Sequence, residues 1–387
     1  MKNVVLLGLV SFFSDISSDM VYPLIPLYLT AAFGATPALV GVIEGIAESV
    51  ASLLKVFSGY ISDRYQRKKP LAFVGYATGL VYKISLVVAG SWMGILAARV
   101  VDRIGKGIRT APRDVLVSES AAEGGAGKSF GIHKALDMAG SAVGILMAFF
   151  IVRSSAGNMD YKKLFVISAI PAIIGLVLLL FVKENAGGHK LAEREPFWRN
   201  IKGLDFNLKL YLAVTFIFTL GNSSNTFLLL KAKNIGFTDA NVVFLYFLYN
   251  ITASLLAIPF GKLSDKIGRK RVLVGGYFAF ALVYFGFAFV TKPSSMIVIF
   301  IVYGVYTAMT AGVERAFISE IAPPQLKGTM LGLQSTIVGV ALLPASVIAG
   351  GLWDSFGSSV PFIFGGSLAL AACLILALGL KVKAARQ

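Results

Sequence analysis

The sequence predicts an all-α integral membrane protein with twelve transmembrane helices in two pseudo-symmetric six-helix bundles. Three observations predict this fold. Hydrophobic residues make up 56% and charged residues only 14%, with a mean hydropathy of +0.77. Soluble domains carry about 25% charged residues. Apolar runs near the roughly 20 residues needed to span a bilayer recur along all 387 residues with short breaks. Two stretches of the chain also repeat at nearly one offset.

Taken in order, the first six spans are expected near 4–32, 37–61, 70–89, 92–117, 129–153 and 163–183. The second six are expected near 207–232, 239–261, 271–291, 295–319, 327–352 and 358–381. The opening "MKNVVLLGLVSFF" has the look of a signal peptide, but Asp15 falls in its apolar core and no convincing cleavage site follows. It is read as the first permanent span. The longest polar stretch divides the chain into an N-terminal bundle (1–183), a linker (184–206) and a C-terminal bundle (207–387).

The net charge of +16 is explained by topology rather than by nucleic acid. With the N-terminus inside, the inner segments hold twenty Lys and Arg and the outer turns five. That asymmetry predicts cytoplasmic termini on both ends and a multi-pass protein of the cell (inner or plasma) membrane. The single cysteine, Cys373, excludes a disulfide framework or a thiolate metal site.

The repeat is specific. "ESVASLLKVFSGYISDRYQRKK" (48–69) aligns without a gap on "NITASLLAIPFGKLSDKIGRKR" (250–271), with nine of 22 positions identical at an offset of 202. A second match at offset 201 sets Ser118-Glu119 against Ser319-Glu320 and Gly131 against Gly332. Two matches at nearly one offset argue for a duplicated six-helix unit. Parallel repeats of this kind place a transport site near the midplane, at the repeat interface.

The repeated loops "GYISDRYQRKK" and "GKLSDKIGRKR" resemble the signature loop of the major facilitator superfamily, Gly-x-x-x-Asp-Arg/Lys-x-x-Arg-Lys. The first departs from it at Gln66, where Gly is usual; the second keeps Gly268. Arg99 falls where many exporters of that family carry an Arg in span 4. Span 5 keeps the small-residue spacing of the family's antiporters at Gly140 and Gly144 but lacks their Pro. The resemblance covers the whole chain. It implies a transporter whose spans 1, 4, 7 and 10 line a central cavity, with the loop motif locking one gate. It does not name the substrate.

Charges inside the spans are the candidate site. Span 1 sets Asp15 and Asp19 on one face, and span 2 does the same with Glu44, Glu48 and Lys55. In span 4, Arg99, Asp102, Arg103, Lys106, Arg109, Arg113 and Asp114 fall within an arc of roughly 140° at 100° per residue. Lys83 lies in span 3, and His133 and Asp137 in span 5. An unpaired acid at mid-membrane costs roughly 2.5–3.5 kcal/mol, so these acids must be paired, protonated or wet. Asp15, Asp19, Glu48, Arg99, Arg103 and Lys106 are therefore candidates for proton coupling or substrate binding. Asp15 and Asp19 can equally be structural partners of span 4 cations. Glu44 reads either as a functional acid or as a wet rim residue, and Lys55 as a snorkelling side chain. His133 reads as a hydrogen-bonded packing residue.

Tyr22, Asn222, Asn225, Tyr303, Tyr306 and Glu314 are candidate cavity residues. "GNSSNTF" in span 7 echoes "SDISSDM" in span 1 without its charge. Tyr303 and Tyr306 read equally as substrate wall or as packing aromatics. The gate candidates are Asp63, Arg64, Arg67, Asp114, Asp265 and Arg269. Asp63 can accept from a facing helix end, and Arg67 can pair with Asp114 or Glu119. No transition-metal set, nucleotide loop or catalytic nucleophile–base set emerges, so neither a cofactor nor an enzyme is expected.

The leading expectation is a monomeric secondary transporter of a small organic solute, coupled to protons and directed outward. Transport of an anionic metabolite on the basic face of span 4 is the alternative, and a transport-dead membrane sensor or scaffold a more distant one.

Overall fold

In the computed structural model the described residues are 2–65, 68–120, 126–155, 159–184, 204–322 and 327–380. The side chains of 55–65, 111, 118, 126–131, 319 and 327–329 lie outside that description. Fifteen α-helices occupy the described residues. Those of the first half are α1 (Lys2–Val21), α2 (Ile25–Phe33), α3 (Pro37–Tyr65), α4 (Lys68–Val88), α5 (Trp92–Glu119), α6 (Ala126–Ser154) and α7 (Tyr161–Leu180). Those of the second half are α8 (Phe206–Gly221), α9 (Thr226–Asn234), α10 (Asp239–Ile267), α11 (Arg269–Phe289), α12 (Pro293–Thr310), α13 (Val313–Ile321), α14 (Lys327–Phe356) and α15 (Val360–Gly379).

Eleven segments among the described residues are long and apolar enough to cross a membrane. The remaining long helix, α5, is as long as these but carries the charged run from Arg99 to Asp114. With it, twelve spans stand where the sequence places them.

Three spans expected as continuous are broken. Span 1 passes from α1 through one 3-10 turn, Tyr22–Leu24, into α2. Pro23 and Pro26 lack the N–H that would continue the ladder. Span 7 breaks between α8 and α9 at Asn222–Asn225. There the side chains compete for backbone groups: Thr226 N donates to Ser224 Oγ at 3.3 Å, and Ser224 N to Ser346 Oγ at 3.4 Å. Span 10 breaks at Ala311-Gly312, between α12 and α13.

The chain forms two compact units. The first comprises Met1–Thr36, Ile46–Ala192 and Phe237–Phe247. Within it α1 and α6 meet at backbone contact, because a Cβ on Gly140 or Gly144 would collide with the carbonyl of Phe12 or Ile16. Small residues that let backbones touch are the usual means of packing helices in lipid. The α4–α5 seam is built the same way: a Cβ on Gly75 would lie 2.7 Å from Gly105 O, and one on Gly105 2.7 Å from Gly75 O. Leu7, Val10, Ala72, Tyr76, Leu116, Val117, Leu179 and Val182 fill the core beside these seams. On the opposite side, Val74, Val81, Ile84 and Val88 of α4 are exposed, as a lipid-facing surface requires.

The second unit comprises Pro37–Gly45, Glu193–Gly236 and Leu248–Gln387. The first residues of α3 therefore pack with α14: a Cβ on Gly45 would lie 3.1 Å from Leu343 O, and Ala38 N donates to Asp354 Oδ2 at 3.2 Å. Glu44, read above as a possible wet rim residue, is 1% exposed. The unit's core is aromatic. Phe218 stacks on Tyr277 with ring centroids 3.9 Å apart, and Phe280 stacks on Tyr284 at the same separation.

Candidate functional site

In the first unit the i,i+4 spacing of Asp15 and Asp19 sets both acids along the α1–α6 seam. Their partners come from α6, not only from the cations of α5. The carboxyls of Asp15 and Asp137 lie within hydrogen-bond reach of each other, and Asp19 bonds the Ser141 side chain. Asp137 also receives Lys134 Nζ at 2.6 Å. The charges of Lys106 and Arg103 act on Asp19 from α5.

The polar face of α5 lies beside this seam. Arg99, at 1% exposure, is the largest fully buried side chain among the described residues; Asp102, Arg103 and Arg109 are buried as well, whereas Lys106 is exposed. Arg103 donates from Nη2 to Glu48 Oε1 at 2.8 Å, and its Nε stands 3.9 Å from Asp102 Oδ2. The guanidinium carbons of Arg99 and Arg103 lie 5.4 and 5.8 Å from the ring centroid of Tyr22, within cation–π range. Tyr22 sits in the 3-10 turn of span 1 and packs on Tyr246 at 5.6 Å. The break in span 1 thus delivers an aromatic face to the two arginines.

Deeper in the same unit, Ser11 Oγ lies 2.9 Å from His133 Nε2 and 3.2 Å from Tyr76 OH, and Arg109 stacks 4.5 Å from the Tyr76 ring. His133 is thereby a buried, hydrogen-bonded packing residue, as its sequence context suggests.

In the second unit the break of span 7 is tied to α12 by two parallel bonds. Asn222 Nδ2 donates to Tyr306 OH at 3.1 Å, and Tyr303 OH donates to Asn225 Oδ1 at 2.7 Å. Tyr303 and Tyr306 stand one turn apart, which matches the three-residue spacing of the asparagines. Both tyrosines are buried and pack on aromatic neighbours, Tyr303 on Tyr249 and Tyr306 on Phe280. Glu314 lies in the first turn of α13, where a negative charge suits the helix dipole. Tyr277 OH donates to its Oε1 at 3.2 Å, and Tyr211 OH reaches its main-chain oxygen at 3.5 Å.

The helix-start cations repeat between the units. Lys68, the first residue of α4, pairs with Glu119 at the end of α5. Arg269, the first residue of α11, pairs with Glu320 at 3.1 Å and with Asp265 at 3.3 Å. The next residue in each case caps a distant helix end: Lys69 Nζ donates to Leu180 O at 2.8 Å, and Lys270 Nζ to Leu380 O at 2.6 Å. Glu119 is thus partnered by Lys68, and Asp114 is bonded by the adjacent Arg113 at 2.9 Å. Arg67 and the side chains of Asp63, Arg64 and Lys55 lie outside the described residues.

Sequence reasoning passed over Asp137 and Ser141 as the partners of the span 1 acids. The signal was Gly140 and Gly144, whose spacing presses α6 against α1. It also left the role of Lys83 open.

The sequence profile of the Major Facilitator Superfamily matches residues 7–229 and 210–387. The chain belongs to that superfamily. An uncharacterized MFS-type transporter of Methanocaldococcus jannaschii is 37% identical over 97% of this chain and 94% of its own length. The fosmidomycin resistance protein of Escherichia coli is 28% identical over 70% of this chain and 67% of its own. Among solved structures, a mutant of the nucleoside transporter NupG superposes with a TM-score of 0.84 at 13% identity, covering 98% of this chain and all of that one. That likeness is one of fold. This superfamily member is a multi-pass membrane transporter and not an enzyme.

Proposed function

We propose that this protein is a proton-coupled secondary transporter that exports a small organic solute by alternating access. In this reading the six-helix halves 1–183 and 207–387 rock about the linker 184–206. Both termini face the cytoplasm, and the protein works as a monomer in the inner or plasma membrane. One observation carries the proton coupling: the intramembrane acids Asp15, Asp19 and Glu48 each have a polar partner that can be exchanged, namely Asp137, Ser141 and Arg103. A carboxyl that trades such a partner for a proton links solute movement to a gradient, and proton relays are a common use of intramembrane acids. Outward direction draws on the resemblance to a fosmidomycin resistance protein.

The remaining roles follow from position. Lys106, exposed on the α5 face between the buried Arg103 and Arg109, attracts solute or acid. Tyr22, Asn222, Asn225, Tyr303, Tyr306 and Glu314 shape the solute path. The pairs of Asp265 with Arg269 and of Asp114 with Arg113, together with Asp63, Arg64 and Arg67, belong to the gate. A second reading, an anionic metabolite as solute, is favoured by the burial of Arg99 and Arg103 against Tyr22.

The test is a thermal-shift screen of metabolites and drugs at two pH values, followed by flux of the hits in proteoliposomes. Uphill flux driven by an imposed pH gradient supports the reading. Flux indifferent to both pH gradient and membrane potential removes the coupling.

A further inference from the structure

Lys83 is a buried cation that the proposed coupling scheme does not use. It lies on α4 at 1% exposure, with its ammonium 4.6 Å from the ring centroid of Tyr82. Among the described residues it makes no hydrogen bond and no ion pair. The charged groups that act on it are Asp102, Arg109 and Arg99 from α5 and Asp19 from α1. Of these, Asp102 is shared, because Arg103, Arg99 and Arg109 act on the same carboxylate. Lys83, Arg99, Arg103 and Arg109 are all at least nine-tenths buried, and so is Asp102.

An ammonium that makes no protein hydrogen bond in so dry a place is unfavourable unless something else accepts from its three donors. A hydrophobic residue of similar length would pack the same space without that cost. The α4–α5 seam makes the placement rigid: the glycine contact of Gly75 with Gly105 fixes how closely α4 lies against the charged face of α5. Lys106 of the same α5 face is exposed and the Glu48 side chain bonded to Arg103 is 28% exposed, whereas Arg103, Arg99 and Lys83 are buried. An anion that reaches Arg103 from the Glu48 side meets drier cations beyond it.

We propose that Lys83 is a recognition residue for the anionic group, a carboxylate or phosphate ester, of the transported solute, acting with Arg99 on the α4–α5 face. The proposal rests on the transport reading above and gives its solute a charge. It does not depend on protons being the coupling ion.

The experiment uses the purified full-length protein in detergent, with inorganic phosphate and benzoate as probes. Thermal stability is followed as either sodium salt replaces sodium chloride at constant ionic strength. Wild type is expected to show saturable stabilisation by at least one probe. Lys83→Met and Lys83→Gln should raise the midpoint concentration about tenfold or more, equivalent to about 1.4 kcal/mol, whereas Lys83→Arg should retain the response. Lys162→Met, at an exposed lysine of α7, should leave it unchanged. If Lys83 is only structural, the Met and Gln variants lose stability in chloride yet keep the wild-type midpoint, and the proposal falls. It also falls if neither probe stabilises wild type beyond chloride. Repeating the melts in nanodiscs with and without phosphatidylglycerol separates the sources: a Lys83-dependent effect seen only with that lipid overturns the solute assignment. Because the readout is binding, failure of proton-driven flux leaves this result standing, and failure here leaves proton coupling standing.

Discussion

Arg103 Nη2 donates to Glu48 Oε1 across 2.8 Å, joining α5 to α3 inside the first unit. The arginine is almost wholly buried and the glutamate side chain is 28% exposed, so the pair is dry on one side and reachable on the other. Such a pair can be opened without placing a bare charge in hydrocarbon.

Glu48→Gln is therefore expected to abolish gradient-driven uphill flux while leaving exchange of solute down its gradient. Replacing the charged bond by a neutral one should cost about 1–2 kcal/mol of stability. Flux in proteoliposomes and thermal melts of the same preparations check both parts. Equal uphill flux in wild type and variant would assign the coupling elsewhere.

Asp19 should behave like Glu48 in flux but not in stability. Its seam partner is the neutral Ser141 hydroxyl, which accepts an amide as readily as a carboxylate. Asp19→Asn is expected to fold normally and to lose response to a pH gradient. Asp15→Asn replaces one member of a carboxyl pair with Asp137 by a group that can still donate to the other. A difference between the two variants in the pH dependence of flux would show which acid of span 1 exchanges the proton.

The seam beneath these acids is open to a purely structural test. A Cβ at Gly140 meets the Phe12 carbonyl with no room to spare. Gly140→Val should destabilise by about 1–3 kcal/mol through overpacking, read as a lowered melting temperature. Gly261 has open space around it, and Gly261→Ala should leave the melt nearly unchanged.

The two Asn–Tyr bonds that hold the break of span 7 share one helix turn of α12, so their loss should not be additive. Tyr303→Phe and Asn222→Ala are expected to show a coupling energy of about 0.5–3 kcal/mol in a double-mutant cycle. Additive effects would mean that each bond stabilises its own asparagine alone.

Much of the fold was legible in the sequence because hydropathy and duplication both act over many residues. The twelve spans and the basic face of α5 needed only periodicity and composition. The breaks in spans 1, 7 and 10 were not legible, since each depends on a few side chains finding a distant acceptor: Ser224 N needs Ser346 of α14, and Asn222 needs Tyr306 of α12. The span 1 acids stand out in the sequence, as do the span 4 cations that act on them, but their hydrogen-bond partners on α6 do not. Asp137 and Ser141 stand far along the chain and meet α1 only because Gly140 and Gly144 remove the side chains between them.

Lys68 and Arg269 both open their helices, both take a glutamate, and both are followed by a lysine that caps another helix. The start of one helix is thereby fastened to two others in each unit. A one-residue shift of that start would release both fastenings at once, so each unit keeps its register there as a single element rather than contact by contact.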